Sequence, residues 1–155
     1  MSRRVTSAFA IDSWEGEPGD WHGAQLQRTQ AAKTFTGELS GSSALEAVML
    51  GVGENVSAYV AVERLEVGFD GLKGSFCLLH SATANADDNH MRLTILPGSG
   101  TGDLVGLSGS AEILPGHGFA LVYELEGDPE RASETNPQTT PATNPQTTPA
   151  TTPEP

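Results

Sequence analysis

The stretch that decides the fold is Tyr59-Val-Ala-Val-Glu63-Arg-Leu-Glu-Val-Gly68-Phe-Asp70-Gly71-Leu-Lys-Gly74-Ser-Phe76-Cys-Leu-Leu-His80. On both sides of Asp70-Gly71, apolar side chains recur at every second position, which is the period of a β-strand. An Asp-Gly pair between two such runs is typical of a tight hairpin turn. The stretch therefore predicts two antiparallel strands joined by a short turn.

The same alternation, with turn residues about every ten positions, recurs through residues 1–126, and no window has the spacing of an amphipathic helix. Short connections near residues 70–74, 87–89 and 115–118 favour antiparallel neighbours in chain order. We predict an all-β fold, an eight-stranded antiparallel barrel, because closure removes exposed sheet edges. A β-sandwich is the alternative. The predicted strands are 5–14, 24–35, 44–50, 57–67, 74–85, 90–96, 108–114 and 119–126.

The composition changes at Gly127. The octapeptide Asn-Pro-Gln-Thr-Thr-Pro-Ala-Thr occurs at residues 136–143 and again at 144–151, and residues 127–155 contain no large apolar side chain. A segment with nothing to bury cannot offset the entropy of ordering. We therefore predict one barrel domain over residues 1–126 and a disordered Thr/Pro-rich tail over residues 127–155, acting as a spacer or solubilising segment.

The charge restricts the partners. The chain has a formal net charge of −12, and residues 1–126 carry 16 of its 20 acidic residues against 7 of its 8 Lys and Arg. Such a surface repels phosphate backbones and anionic lipids, so we expect neither a nucleic-acid nor a membrane partner. The single Cys77 has no disulfide partner, and no signal-peptide pattern is seen near Met1. We expect a cytoplasmic protein.

The most distinctive motif is Pro97-Gly-Ser-Gly-Thr-Gly-Asp-Leu-Val-Gly-Leu-Ser-Gly109. A phosphate-binding loop needs a lysine or a following helix, and this stretch has strands predicted on both sides. We interpret its glycines as positions of positive φ or close backbone approach where a barrel strand turns a corner.

The four histidines are dispersed without metal-ligand spacing, so no metal and no cofactor is predicted.

Strand parity selects the candidate site. Tyr59 and Glu63 share a mainly apolar face, and His80 shares one with Phe76. If these faces line the interior, Glu63 is a buried carboxylate whose raised pKa suits acid/base chemistry. The alternatives are that Glu63 pairs with an arginine or caps strand-end amides, and that His80 is a hydrogen-bonded core residue.

Two further polar residues also fall on mainly apolar faces: Glu46 near Ala44 and Val48, and Tyr123 between Leu121 and Leu125. Buried polar atoms need partners, which makes such positions candidates for ligand contacts. The predicted catalytic residues are Glu63, His80 and Tyr123. The predicted substrate-binding residues are Glu46, Tyr59, Phe76 and His117.

Four blocks carry a family resemblance over residues 5–126: Lys33-Thr-Phe-Thr-Gly-Glu-Leu-Ser-Gly41, the Glu63 to His80 block, the Pro97 to Gly109 loop, and the closing Tyr123-Glu-Leu. Together they resemble a bacterial domain-of-unknown-function family, number 3224. The glycine loop is also similar to that of plant allene oxide cyclases and dirigent proteins. The resemblance implies an allene-oxide-cyclase-like, calycin-like barrel with an apolar cavity, commonly assembled as a homo-oligomer.

Relatives of that barrel type guide the cyclisation or coupling of small molecules without a cofactor. The resemblance therefore implies a cofactor-free cyclase or isomerase acting on a hydrophobic, polyketide-like or oxylipin-like small molecule inside the barrel. One alternative is a lipocalin-like carrier that binds a lipophilic ligand without changing it. Another is an oligomeric structural protein whose barrel is filled by side chains.

Overall fold

The computed structural model describes residues 2–126, so the predicted tail lies outside the described residues. Each strand pairs with the next and β8 pairs with β1, which closes the sheet into a barrel and makes the sandwich alternative wrong. In residues 2–126 no helix is long and apolar enough to cross a membrane. The strands are β1 Arg3–Trp21, β2 Ala24–Gly37, β3 Ser40–Val52, β4 Val56–Phe69, β5 Leu72–Ala84, β6 Asn89–Ile95, β7 Leu107–Leu114 and β8 Gly118–Leu125, with a 3₁₀ helix at Gly102–Leu104.

The barrel is closed over only part of its height. Strand β1 pairs with β8 from Arg3 to Ala8, and β6 pairs with β7 only at Leu93 and Thr94. Beyond these contacts, β1 is paired with β2 alone and β6 with β5 alone. The molecule thus has a sealed half, where the ring is complete, and an open half, where the wall between β1 and β6 is missing.

Strand β1 is longer than predicted because Gly16 and Pro18 do not end it. Pro18 lies opposite Gln27 of β2, in the part of β1 that has no second neighbour. Proline lacks an N–H and is tolerated on strand edges for that reason. A bulge between Ile11 and Ser13 shifts the register where β1 leaves the closed ring. The edge position of β1 therefore explains the extra length.

Large apolar side chains fill the sealed half. Phe35 and Phe119 meet edge to face with ring centroids 5.1 Å apart, and Phe69 and Tyr123 do the same at 4.9 Å. Aromatic pairs prefer such tilted geometry, and the burial of this apolar surface is the main stabilising contribution of the fold. The other members of this core are Val5, Phe9, Leu39, Leu65, Val67, Phe76, Leu78, Leu93, Ile95, Leu104, Leu107 and Leu121.

The glycine loop seals the end of this half by continuing the hydrogen bonding of β5 after β6 has ended. The Thr101 N–H donates to the Ser75 carbonyl oxygen at 2.8 Å, and the Cys77 N–H donates to Ser99 Oγ at 3.0 Å. Leu104, carried by the 3₁₀ helix, is completely buried. The interpretation of the loop glycines is confirmed, with positive φ at positions 98, 102, 106 and 109 and close backbone approach at positions 100 and 109.

Gly74 tests this seal. A Cβ at position 74 would overlap the Thr101 carbonyl oxygen, and because this contact is with backbone it leaves little room to adjust. We expect Gly74→Ala to lower the free energy of unfolding by about 1–3 kcal/mol, the usual cost of overpacking. Gly51→Ala is the matched strand control, because its Cβ would be 3.8 Å from its nearest neighbour atom, Gln25 Oε1. Urea unfolding of both variants checks the difference, and equal stability would contradict it.

Candidate functional site

The site begins where the packed core ends. Along β4 the interior positions run from Val67 and Leu65 in the sealed half, through Glu63, to Ala61 and Tyr59 toward the open end. Glu63 has no exposed surface and His80 only 3%, so the parity argument placed both side chains correctly inside the barrel. Together with Lys33 and Ser43, which are also buried, they form the polar layer directly above the apolar core.

Three donors satisfy the Glu63 carboxylate. Ser43 Oγ donates to Oε2 at 2.6 Å, Lys33 Nζ lies 3.4 Å from the same oxygen, and His80 Nε2 lies 2.8 Å from Oε1. Lys33 is itself buried and also sits 4.6 Å from the centre of the Phe9 ring. The cation beside Glu63 is thus a lysine and not the expected arginine, and the hydrogen bonds to its carboxylate come from side chains and not from strand-end amides. The alternative for His80 is confirmed, because it is a buried, hydrogen-bonded residue.

The Glu63 carboxyl group is ionised rather than protonated. Burial alone raises its pKa, but the hydrogen bond with His80, the Lys33 charge and the Ser43 hydroxyl together lower the pKa below its ordinary value of 4.5. The predicted raised pKa is therefore wrong. Both oxygens of this carboxylate contact Ser43, Lys33 or His80, and Glu63 has no exposed surface through which it could meet a molecule in solution.

His80 connects this carboxylate to Tyr59. Because a carboxylate only accepts hydrogen bonds, Nε2 of His80 carries the hydrogen that points at Glu63. In the neutral imidazole the other nitrogen, Nδ1, is then an acceptor, and the Tyr59 hydroxyl lies 3.1 Å from it. The three side chains form a continuous Tyr59–His80–Glu63 chain from the interior to the open half.

Only the Tyr59 end of this chain reaches a cavity. Above the polar layer lie small or medium side chains, Ala31, Leu45, Ala47 and Ala61, which leave room inside the ring. A cavity of about 1040 Å³ opens there, lined by Tyr59 together with residues of β1 to β6, and neither Glu63 nor His80 belongs to its lining. Burial, followed by the nearby Glu63 charge, raises the pKa of Tyr59, so its hydroxyl stays protonated near neutral pH.

Tyr123 and Phe76 lie in the sealed half and not in the cavity. Tyr123 donates a hydrogen bond to Asp70, in the β4–β5 turn, and burial and that carboxylate raise its pKa to about 12. Phe76 is fully buried in the apolar core. The predicted roles as catalyst and substrate contact do not fit these positions, because both residues belong to the apolar core and neither lines the cavity.

Glu46 and His117 are on the outside. Glu46 is exposed and accepts a hydrogen bond from Gln30, because the interior of β3 is formed by the odd-numbered positions. His117 is exposed in the β7–β8 turn, where its ring stacks on Phe9 at 4.9 Å. The prediction that they bind a substrate inside the barrel is wrong for both residues. Glu46 was expected on the inner face because its neighbours Ala44 and Val48 are apolar, but these two residues also face outward.

Lys33 and Ser43 were missed by the sequence argument. Both stand on interior faces, Lys33 between Ala31 and Phe35 and Ser43 next to Leu45. For Lys33 the sequence did contain a signal of an unusual buried charge, because this basic residue alternates with the apolar Ala31 and Phe35. Lys33 pairs directly with Ser43, and Ser43 is the diagonal neighbour of Glu63 across β3 and β4.

No group of three or more His, Cys, Asp or Glu side chains within residues 2–126 is placed to hold a metal ion. The cavity lining contains the carboxylate of Asp20 and the imidazole of His90, but no Lys or Arg. The absence of a metal or cofactor in the functional protein stays a prediction. The groups in this part of the molecule that can transfer a proton are those of the Tyr59–His80–Glu63 chain.

Comparison with protein families matches residues 5–126 to the family described as "Protein of unknown function (DUF3224)". The chain belongs to the DUF3224 family. It is similar to the crystal structure of a protein with unknown function from this family, from Shewanella oneidensis MR-1, with 30% identity and a TM-score of 0.68; the match covers 81% of this chain and 99% of that one. No curated protein matches the chain.

The buried pair of the DUF3224 barrel can be tested by a double-mutant cycle. Glu63→Gln leaves the Lys33 charge buried and unpaired, so we expect a loss of about 3–5 kcal/mol in unfolding free energy. Adding Lys33→Met to Glu63→Gln removes that charge and should recover part of the loss. Urea unfolding of the single and double variants measures the coupling. If the two substitutions add without coupling, the pair does not interact as described.

The same carboxyl group gives a pH dependence. Because the pKa of Glu63 is lower in the folded chain than its ordinary 4.5, its contribution to stability is complete above that value and is lost as pH falls toward the folded pKa. We expect the stability difference between wild type and Glu63→Gln to shrink as pH falls from about 6 to about 3. Urea unfolding across this range measures it, and a constant difference would contradict the lowered pKa.

Proposed function

We propose that this DUF3224 protein is a cofactor-free isomerase or cyclase that moves a proton on a small apolar molecule held in the open cavity. The observation that carries the proposal is the Tyr59–His80–Glu63 chain, in which an ionised carboxylate and an imidazole stand behind the one phenol that lines the cavity. Tyr59 is the catalytic residue in this proposal, and His80 and Glu63 are positioning residues.

The hydrogen-bonded Tyr59–His80–Glu63 chain resembles a catalytic triad of nucleophile, base and carboxylate, with a tyrosine in the place of the nucleophile. The Tyr59 hydroxyl proton moves to His80 Nδ1 while the Tyr59 oxygen takes a proton from a carbon next to a substrate carbonyl. The imidazolium formed is stabilised by Glu63. Return of a proton from Tyr59 to another carbon, with the His80 proton returning to Tyr59, completes an isomerisation in which no atom or electron is gained or lost.

The surroundings support this assignment. Lys33 balances the Glu63 charge, so the resting polar layer is neutral overall and becomes positively charged only transiently. Glu63 and His80 are buried against the apolar core, and this low-dielectric environment strengthens electrostatic interactions within the layer. The resemblance of the glycine loop to that of allene oxide cyclases also supports the proposal, because enzymes of that barrel type work without a cofactor.

A carrier is the second candidate. Apolar side chains such as Trp21, Leu26 and Met49 line much of the cavity, and such a surface can hold a lipophilic ligand with no chemistry at all. In that case the polar layer would only fix the barrel geometry. A structural protein with a filled barrel fits less well, because the open half holds a cavity of about 1040 Å³.

The decisive measurement uses a panel of neutral β,γ-unsaturated ketones, whose conversion to the conjugated isomers is followed by ultraviolet absorbance. We expect wild type to accelerate at least one of them, and Tyr59→Phe to reduce kcat/KM by about 10²–10⁴, the range of general acid/base catalysis. Val60→Ala is the matched control, because Val60 adjoins Tyr59 but faces outward and is 57% exposed.

Two results would overturn the proposal. One is turnover by Tyr59→Phe at the wild-type rate, which would remove the phenol from the reaction. The other is recovery of bound panel members unchanged after long incubation, with none converted, which would support the carrier. Tight binding of an apolar probe by Tyr59→Phe shows that the cavity is intact and that lost turnover reflects lost chemistry.

A further inference from the structure

Several apolar side chains on the interior face of the open half are exposed. Trp14 pairs directly with Ala31, whose side chain is buried inside the barrel, and directly paired residues share one face of a sheet. Trp14 therefore belongs to the interior face, although it is 48% exposed. Ile11, paired with the buried Lys33, is in the same situation.

The opposite wall repeats the pattern. On β6, Leu93 pairs with the interior His80 and is buried, and Met91, two positions away on the same face, is 52% exposed. Met91 also lines the main cavity. Apolar interior residues on both sides are thus uncovered at the place where the barrel wall is incomplete.

We define the lateral slot as the opening between residues 10–21 of β1 and residues 89–92 of β6, above the β7–β8 turn. There β1 pairs with β2 alone and β6 pairs with β5 alone, so each strand has one unpaired edge. We propose that the lateral slot is the second part of the ligand site, where the apolar portion of a ligand packs between Trp14 and Met91 while its oxygen-bearing end reaches Tyr59. The slot extends the main cavity, because Met91 belongs to both.

The charges define the class of ligand. The cavity lining has no Lys or Arg that could pair with a carboxylate or a phosphate, and it contains the acidic Asp20. Arg92 belongs to the β6 edge of the slot, but it alternates with the interior Met91 and therefore faces outward. Residues 1–126 also carry a large excess of acidic residues, which repels anions at a distance. The ligand is therefore neutral, elongated and mostly apolar, with ring or unsaturated groups that can stack on the exposed Trp14 indole.

This inference deepens the proposed function. It rests on the proposed function in taking the cavity as the ligand site, but its test measures binding alone. The probes are N-phenyl-1-naphthylamine, which is neutral, and 8-anilino-1-naphthalenesulfonate, which has the same ring system with a sulfonate. Both become fluorescent in apolar surroundings. Each is titrated into the full chain at low salt, and the ratio of the two Kd values measures the preference for a neutral ligand.

We expect the neutral probe to bind at least about tenfold more tightly than the sulfonate, and Trp14→Ala to weaken its binding by about tenfold, which corresponds to about 1.4 kcal/mol. Val105→Ala is the control, since Val105 is 65% exposed in the connection that precedes β7 at the sealed end. Trp14→Phe should retain most of the affinity, because a phenyl ring still stacks. Unchanged thermal unfolding shows that each variant is folded.

Energy transfer gives an independent readout. In Trp21→Phe the only remaining tryptophan is Trp14, and a neutral probe seated in the lateral slot should quench its emission. Equal affinity of wild type and Trp14→Ala, or tight binding of the sulfonate, would overturn the inference. This inference and the proposed function can fail separately. Tyr59→Phe tests isomerisation, whereas Trp14→Ala tests the binding of the probe.

Discussion

The closure of the ring between β8 and β1 is the constraint on which the rest of the structure depends. It uses only the first six paired positions of a long β1, from Arg3 to Ala8, and β6 meets β7 over just two. Over that height the sheet has no edges and its interior is packed with buried apolar side chains, several of them aromatic. Beyond it, β1 and β6 separate, and a cavity replaces the core.

The polar layer lies at the boundary between these halves, and its position explains its chemistry. A charged carboxylate inside a protein is tolerated only with a countercharge and full hydrogen bonding, which Lys33, Ser43 and His80 supply to Glu63. The buried apolar core covers one side of the layer. On the other side, Tyr59 is the member of the Tyr59–His80–Glu63 chain that lines the cavity.

Much of the fold could be predicted because period-2 alternation and turn residues are local signals. The hairpin around Asp70-Gly71, the barrel and the interior positions of Glu63 and His80 followed from them. Glu46 was misassigned because the outer face of its strand is also apolar, so parity alone could not identify the inner side. Tyr123 was placed on the correct face but at the wrong height, and height along the barrel depends on strand stagger, which no local pattern encodes.

The sequence by itself determined an all-β body, its eight strands and the faces that carry Glu63, His80 and Tyr59, because side-chain alternation is built into every strand. Only the tertiary structure decided which of these residues meets the cavity. Pairing across β2, β3 and β4 brings Lys33 and Ser43 to Glu63, so that this carboxylate contacts buried side chains and does not line the cavity. The limited closure between β8 and β1 then leaves Tyr59 facing open space, since register and strand length set where the core ends.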